Sequence, residues 1–210
     1  MTERAARLTR FSFVAAPVLL MVYGSIRLLA EGSKEPGAAW ATGHFAFLFG
    51  VLLFGVACEG VRRIAAASGG PARRRVARAG AIAGLVGVTA AAAQAVIDLY
   101  AGFRSADKPE MQEIFAQVQG VPGVMPAVYT VGPVFLYLGM ITLLATLRGP
   151  GAVRSLVIFV LGTAAMATSL DLLPLGGLCY LLAFAPLRRC VPGPHGSGTP
   201  APVPVGSGSA

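Results

Sequence analysis

Charged residues are scarce in this chain of 210 residues. Asp, Glu, Lys and Arg make up 12% of it and hydrophobic residues 55%, whereas soluble proteins carry about 25% charged residues. A soluble domain of this size would therefore lack the charges that cover a surface in water. The high apolar content excludes a disordered chain, and three cysteines are too few for a disulfide scaffold. The composition predicts an all-α membrane protein that crosses the bilayer several times.

Residues that hold cofactors are also scarce. There are two histidines, and one of them, His195, falls in a tail rich in Pro and Gly. A haem held by two histidines within spans is therefore excluded. The chain has no GxxxxGK[ST] motif, no Rossmann glycine pattern, no CxxC and no Cys/His cluster with zinc spacing. We expect no cofactor and no metal, and no catalytic signature is present.

Six apolar runs are long enough, or nearly long enough, to cross the hydrocarbon layer, which takes about 20 residues. They cover residues 11–30, 40–64, 80–101, 124–147, 152–173 and 175–188. The last two runs follow each other with almost no residues between them, so we expect a tight hairpin with its turn at Pro174, Gly176 and Gly177. One span followed by a re-entrant segment is the alternative. Residues 191–210 are rich in Pro, Gly and Ser and predict a disordered cytoplasmic tail.

The basic residues are distributed unevenly between the two sides of the predicted bundle. Most of the 17 lie in the N-terminal segment, the second loop, the fourth loop and the C-terminal edge. Basic residues favour the cytoplasmic side, so we expect both termini to be cytoplasmic and the protein to lie in the plasma membrane. The net charge of +8 is then a topology signal and does not indicate a nucleic-acid partner. The loop from Arg62 to Arg78 is expected to attract anionic lipid headgroups.

Three local features of the sequence lead to further expectations. The run that follows Arg10 continues to Ala30 without a clear cleavage site, so we interpret it as a retained first helix and not as a signal peptide. Glu59 and Arg63 are spaced to form an ion pair on one helix face. We expect Cys58, Cys179 and Cys190 to be free thiols.

The three outward-going spans end alike, each with a branched apolar residue, one charge, a leucine and a glycine. This pattern suggests three hairpins in series. The charges are Arg27, Asp98 and Asp171. Ionisable groups within spans tend to face protein or water and to pair.

A helical seam in the third span presents Asp98. Its residues recur at spacings of three and four, which places them on one face: Gly80, Gly84, Gly87, Ala91, Gln94 and Asp98. Small residues allow close helix packing, so we expect the seam to face another helix.

The resulting hypothesis is an outward-facing polar pocket that binds a small molecule or a membrane-protein partner. Its candidate residues are Arg27, His44, Gln94, Asp98 and Asp171. Two alternatives remain open. These groups could all be hydrated near the headgroups, or Arg27 could form a structural ion pair with Asp98 or Asp171.

Three features surround this pocket. The segment from Asp107 to Gly120 predicts a short amphipathic helix on the outer face, either a lid or a helix resting in the interface. Trp40 and Tyr100 fit an outer aromatic belt. Pro126 and Pro133 are expected to kink the fourth span.

The chain resembles the small six-span integral membrane proteins of unknown function that are common in high-GC Gram-positive bacteria. The resemblance covers roughly residues 5 to 190 as architecture. It rests on the basic N-terminus, on Gly43-His44-Phe45 and on Asp98-Leu99. It implies a bacterial membrane location and carries no activity.

A non-enzymatic binding, accessory or structural role fits best, because the polar candidates cluster on the outer side. One alternative is a small secondary transporter coupled through Asp98 and Asp171. Another is a membrane enzyme that uses His44 and Asp98 as acid and base.

Overall fold

Six helices long and apolar enough to cross a membrane form most of the molecule. The computed structural model describes residues 2–67 and 69–191. The helices of the first half are α1 Glu3–Leu29, α2 Ala38–Ala67, α3 Pro71–Arg104 and the short α4 Lys108–Gln119. Those of the second half are α5 Val131–Ala145, α6 Pro150–Thr168, α7 Leu173–Phe184 and α8 Leu187–Cys190. A π-helical segment, Met125–Thr130, leads into α5, and a 3-10 turn, Leu170–Leu172, precedes α7.

The six spans confirm the predicted all-α architecture. The helices α1, α2, α3, α5, α6 and α7 each form a span. The π-helical segment completes the fourth span, and the 3-10 turn together with α8 completes the sixth. The helices extend past several predicted limits; α1 begins at Glu3 and α3 at Pro71. Thr2 caps α1 by accepting a hydrogen bond from the Ala5 N–H, which stabilises a start ahead of the apolar run.

The spans form a ring. Each crossing helix packs against the next one along the chain, and α7 packs back against α1. The pairs α1–α2, α3–α5 and α6–α7 are the three serial hairpins. The contact between α5 and α6 is the least extensive in the ring. We call the end where α1 finishes and α2 begins the outer end, and the opposite end the inner end.

The seam of small residues on α3 packs against α5, as predicted. A Cβ added to Gly87 would lie 1.9 Å from the Leu136 nitrogen, and one added to Gly139 would lie 2.2 Å from the Gly84 nitrogen. Only glycine allows the two backbones to approach this closely. The inner half of α3 is therefore held against α5 by direct backbone contact.

The turn between the last two spans differs from the prediction. Helix α6 ends at Thr168, and the chain turns at residues 169–172. Pro174 lies in the first turn of α7, where a missing N–H costs nothing. Gly176 and Gly177 lie within α7 and pack closely on Met166 and on Met21. Pro174 therefore starts α7, and the two glycines allow α7 to pack closely on its neighbours. Helices α6 and α7 form a full hairpin.

Aromatic side chains fill the middle of the ring. Tyr180 stacks on Phe159 with 4.1 Å between ring centroids. Tyr180 also contacts Phe54, and Phe159 contacts Phe184. The Tyr180 hydroxyl is 2.8 Å from Thr163 Oγ1, so this buried tyrosine has a polar partner. The cluster closes the ring below the outer half, where the candidate site lies.

Candidate functional site

A buried pair of ionisable side chains lies at the outer end of the ring. His44 Nε2 on α2 is 3.5 Å from Asp98 Oδ2 on α3. His44 is 5% exposed and Asp98 7%, so neither is hydrated at a headgroup surface. The hypothesis that all the candidate groups are solvated at the membrane boundary is therefore wrong for this pair.

Trp40 contacts both members of this pair, although the sequence analysis predicts that it belongs to an outer aromatic belt. Its indole stacks on His44 with 4.0 Å between centroids, and its Nε1 donates to the Asp98 carbonyl at 2.8 Å. A Cβ on Gly102 would lie 2.4 Å from the indole ring, so this glycine makes room for it. The i, i+4 spacing of Trp40 and His44 is the signal that could have revealed this role.

The hydrogen bond between His44 and Trp40 defines which ring nitrogen carries a hydrogen. Nδ1 is 2.9 Å from the Trp40 carbonyl oxygen, which can only accept. Nδ1 therefore carries a hydrogen, and Nε2 is the nitrogen that faces Asp98. One further proton can be held between Nε2 and the carboxyl group, on either partner.

Arg27 lies beside this pair without forming the predicted ion pair. Among residues 2–67 and 69–191, the ion-pair partner of Asp98 within 4 Å is His44, and Arg27 has none. The guanidinium interacts with Tyr23 and His44, and its Nε is buried without a hydrogen-bond partner among the described residues. Arg27 lines a small space together with Trp40 and His44 of α2.

Gln94 belongs to a different part of the site, a cavity of about 280 Å³ next to the pair. Its outer end is lined by Tyr23, Gln94 and Tyr129, and its floor by Phe54, Phe159 and Tyr180. Tyr23 connects the two parts, because its ring contacts His44 edge-on at 5.4 Å. The cavity is thus polar toward the outer end and aromatic toward the middle of the ring.

Tyr129 reaches this cavity from the π-helical segment. The Val131 N–H bonds to the Pro126 carbonyl, five residues back, which widens the helix by one residue. Pro126 lies in this segment and Pro133 follows it in α5, and such segments occur often at functional sites. The Tyr129 hydroxyl is buried and lies near Asp98 and Gln119, but it forms no hydrogen bond of normal length and angle with any described residue.

Helix α4 covers the outer end of the site. Asp107 accepts from the Glu110 N–H at 2.9 Å, and the Glu110 carboxylate accepts from the Ala106 N–H at 2.6 Å, which caps the start of α4. Met111 is 3% exposed, and Phe115 contacts Trp40 with 6.2 Å between ring centroids. The helix packs on the protein by its apolar face.

Asp171 is not brought to the site. It lies exposed in the 3-10 turn before α7, where its N–H donates to Ser169 Oγ at 3.1 Å. The similar sequence around Asp98 and Asp171 therefore does not produce equivalent positions. Asp98 is inside a continuous helix, whereas the helix before Asp171 has already ended.

The arginines of the second loop make local contacts. Arg62 donates twice to Glu59, at 2.6 and 2.7 Å, and Arg63 once at 2.6 Å. The predicted pair of Glu59 with Arg63 is confirmed, and Arg62 joins it. Arg74 Nε donates to the carbonyls of Ala66 and Gly69 and closes the turn between α2 and α3.

The described part of the chain contains no group of three or more His, Cys, Asp or Glu side chains placed to hold a metal ion. Cys58, Cys179 and Cys190 are free. Comparison of the chain with known protein families, with curated proteins and with solved structures finds no match. The functional argument therefore rests on the geometry of the site.

Proposed function

We propose that this multi-pass membrane protein is a non-enzymatic binding component. Its ligand would be an amphipathic small molecule, held with a hydrogen-bonding group at the outer end of the cavity and an apolar part on the aromatic floor. The observation that carries this proposal is the cavity itself. It is close in size to small ligand pockets, which begin at about 300 Å³, and has their usual mix of apolar walls and few polar groups.

The polar groups at the outer end indicate the chemistry of the ligand. Within the described residues the Tyr129 hydroxyl interacts with Gln119 but forms no hydrogen bond of normal length and angle, and Gln94 offers an amide to the same space. A buried donor without a partner costs about 1–3 kcal/mol, and a ligand oxygen that accepts its hydrogen would remove this cost. A carbonyl or hydroxyl group on an apolar molecule fits both side chains.

The limited contact between α5 and α6 favours entry from the bilayer. Both helices contribute side chains to the cavity, among them Leu136 and Phe159. An apolar ligand dissolved in the membrane could therefore pass between these helices. Helix α4, packed over Trp40 by Phe115, would close the outer end as a lid, which was one of the two predicted roles of this segment.

The experiment uses the single tryptophan of the chain, because Trp40 stacks on His44 beside the cavity. The protein in lipid nanodiscs is titrated with 2-decanone and with decane while tryptophan fluorescence is recorded. We expect saturable binding of the ketone, about five- to tenfold tighter than that of decane, since one hydrogen bond contributes about 1 kcal/mol.

Two matched variants locate the hydrogen bond. Tyr129→Phe should remove the preference for the ketone, whereas Tyr100→Phe, at an exposed position, should keep it. Equal affinity for the two probes in the unmodified protein would contradict the proposed ligand chemistry. Absence of saturable binding of either probe would contradict the binding function itself.

The two alternative functions have less support. Transport coupled through Asp98 and Asp171 needs both groups on one path, and the exposed Asp171 is not among the residues that line the cavity. Acid–base catalysis by His44 and Asp98 would need a substrate to reach a pair covered by Trp40.

We further propose that the protein lies in a bacterial plasma membrane with both termini in the cytoplasm. The support is the arginine excess at the inner end of the ring, in the loop from Arg62 to Arg78 and around Arg148, Arg154, Arg188 and Arg189. Reporter fusions at Ser33 and Ala106 should be extracytoplasmic, and fusions at Gly70 and Gly206 cytoplasmic. An extracytoplasmic signal at Gly70 would reverse the orientation.

A further inference from the structure

A groove of about 290 Å³ opens at the inner end of the ring, where α6 begins and α7 ends. Arg154 lines it from α6, and Arg189 lines it from α8. Leu182, Ala185 and Pro186 form its apolar part. Two guanidinium groups from different helices therefore share one open groove with an apolar floor.

Neither guanidinium has a partner within the described part of the protein. Arg154 and Arg189 are exposed and form no ion pair or hydrogen bond through their side chains with residues 2–67 or 69–191. Residues 114–210 contain one acidic residue, Asp171, which follows α6 at the outer end. Like charges in one groove repel each other, and an anion bound between them would remove that repulsion.

The arginines near the end of α2 provide the contrast. Arg62 and Arg63 share the Glu59 carboxylate, and Arg74 is held by backbone carbonyls. No carboxylate among the described residues accompanies Arg154 and Arg189 in this way. Both line a groove with exposed apolar surface, since Leu182 is 47% exposed.

We propose that this groove binds an anionic phospholipid, with the phosphate between Arg154 and Arg189 and the upper part of an acyl chain on Leu182. Guanidinium groups bind phosphate through paired, charge-assisted hydrogen bonds. The cytoplasmic leaflet, where the arginine distribution puts this end, is rich in anionic lipid. The apolar floor selects a lipid over a free phosphate, because a free ion would leave that floor in water.

Native mass spectrometry of the detergent-solubilised protein tests the groove with phosphatidylglycerol and phosphatidylcholine of the same chains. We expect tighter binding of phosphatidylglycerol, by about tenfold. Arg154→Gln/Arg189→Gln should remove that preference. The matched control is Lys34→Gln/Arg104→Gln, which takes the same charge from exposed positions at the outer end of the molecule and should change binding less than about threefold.

Each other outcome overturns the proposal. Equal losses in the two double variants would mean that lipid binding follows overall charge and not this groove. Equal binding of the two lipids would remove the role of the anion. Competition by glycerol 3-phosphate at the same concentration as phosphatidylglycerol would identify a free-phosphate site. Thermal melts of all variants exclude misfolding, which is not expected at exposed arginines.

Discussion

At the inner half of the bundle α3 and α5 touch through their backbones, whereas at the outer half the helices of the ring enclose a cavity and a buried ionisable pair. Gly139 lies against the Gly84 backbone and Gly87 against the Leu136 backbone, so neither Gly139 nor Gly87 could carry a side chain. Further out on α3, Gln94 and Asp98 face polar and aromatic groups of α1, α2 and the π-helical segment. Helix packing in the inner half thus requires glycines that have no side chain. The outer half instead depends on the particular polar and aromatic side chains that line it.

The largest effect is expected where the backbones meet. Gly139→Ala places a Cβ 2.2 Å from the Gly84 nitrogen, and backbone cannot move aside as a flexible side chain can. We expect a loss of about 3 kcal/mol in the free energy of unfolding, at the upper end of overpacking effects, measured by thermal or denaturant unfolding in detergent.

The control for this variant is Gly151→Ala, at the start of α6. Its added Cβ would lie 3.7 Å from Pro186, an ordinary contact, so stability should change by less than about 1 kcal/mol. If both glycine variants were equally mild, close backbone packing would not distinguish the inner half.

A smaller effect is expected at the buried pair. His44→Leu and Asp98→Leu should each cost about 2 kcal/mol, because each leaves a buried polar group without its partner. The double variant should recover about 1 kcal/mol or more, since residues in contact are energetically coupled.

Arg27 serves as the comparison for this cycle. It has no ion pair with Asp98 within 4 Å but shares His44 as a neighbour, so the coupling of Arg27→Ala with Asp98→Leu should be smaller than that of His44→Leu with Asp98→Leu. A strong coupling between Arg27 and Asp98, with none between His44 and Asp98, would restore the ion pair expected from sequence and contradict the structure.

The smallest effect is expected at Asp171. Asp171→Ala alters an exposed side chain in a 3-10 turn, and substitutions at such positions change stability by less than about 0.5 kcal/mol. The same unfolding assay compares it with Asp98→Leu. A loss at Asp171 as large as that at Asp98 would mean that the two repeat ends are equivalent after all.

Most of the fold could be predicted from the sequence, whereas only part of the site could. Apolar length identifies the spans, and small-residue spacing identifies the face of α3 that packs on α5. The same spacing indicated that Asp98 points inward. It could not identify the partner, because Arg27 and His44 occur at similar depth and the choice depends on how α1 and α2 are rotated.

Other residues of the site have weak or misleading sequence signals. Trp40 is typical of a membrane interface, and only Gly102 on the facing helix lets it lie over His44. Tyr129 gives no signal by itself, since it faces the cavity through the shift that the π-helical segment introduces. The glycines at 176 and 177 resemble a turn, yet the turn forms at residues 169–172 and they pack within α7.

The sequence by itself determined how many helices cross the membrane, since burial of backbone polar groups in lipid requires helices and the length of each apolar run sets its span. It also determined which face of α3 packs against another helix, because small residues at that spacing allow close backbone approach. Only the tertiary structure decided that His44 and not Arg27 faces Asp98, that Asp171 stays exposed and that a cavity separates the polar end from the aromatic floor. These outcomes depend on the rotation and spacing of helices far apart in the chain, which no local pattern of residues specifies.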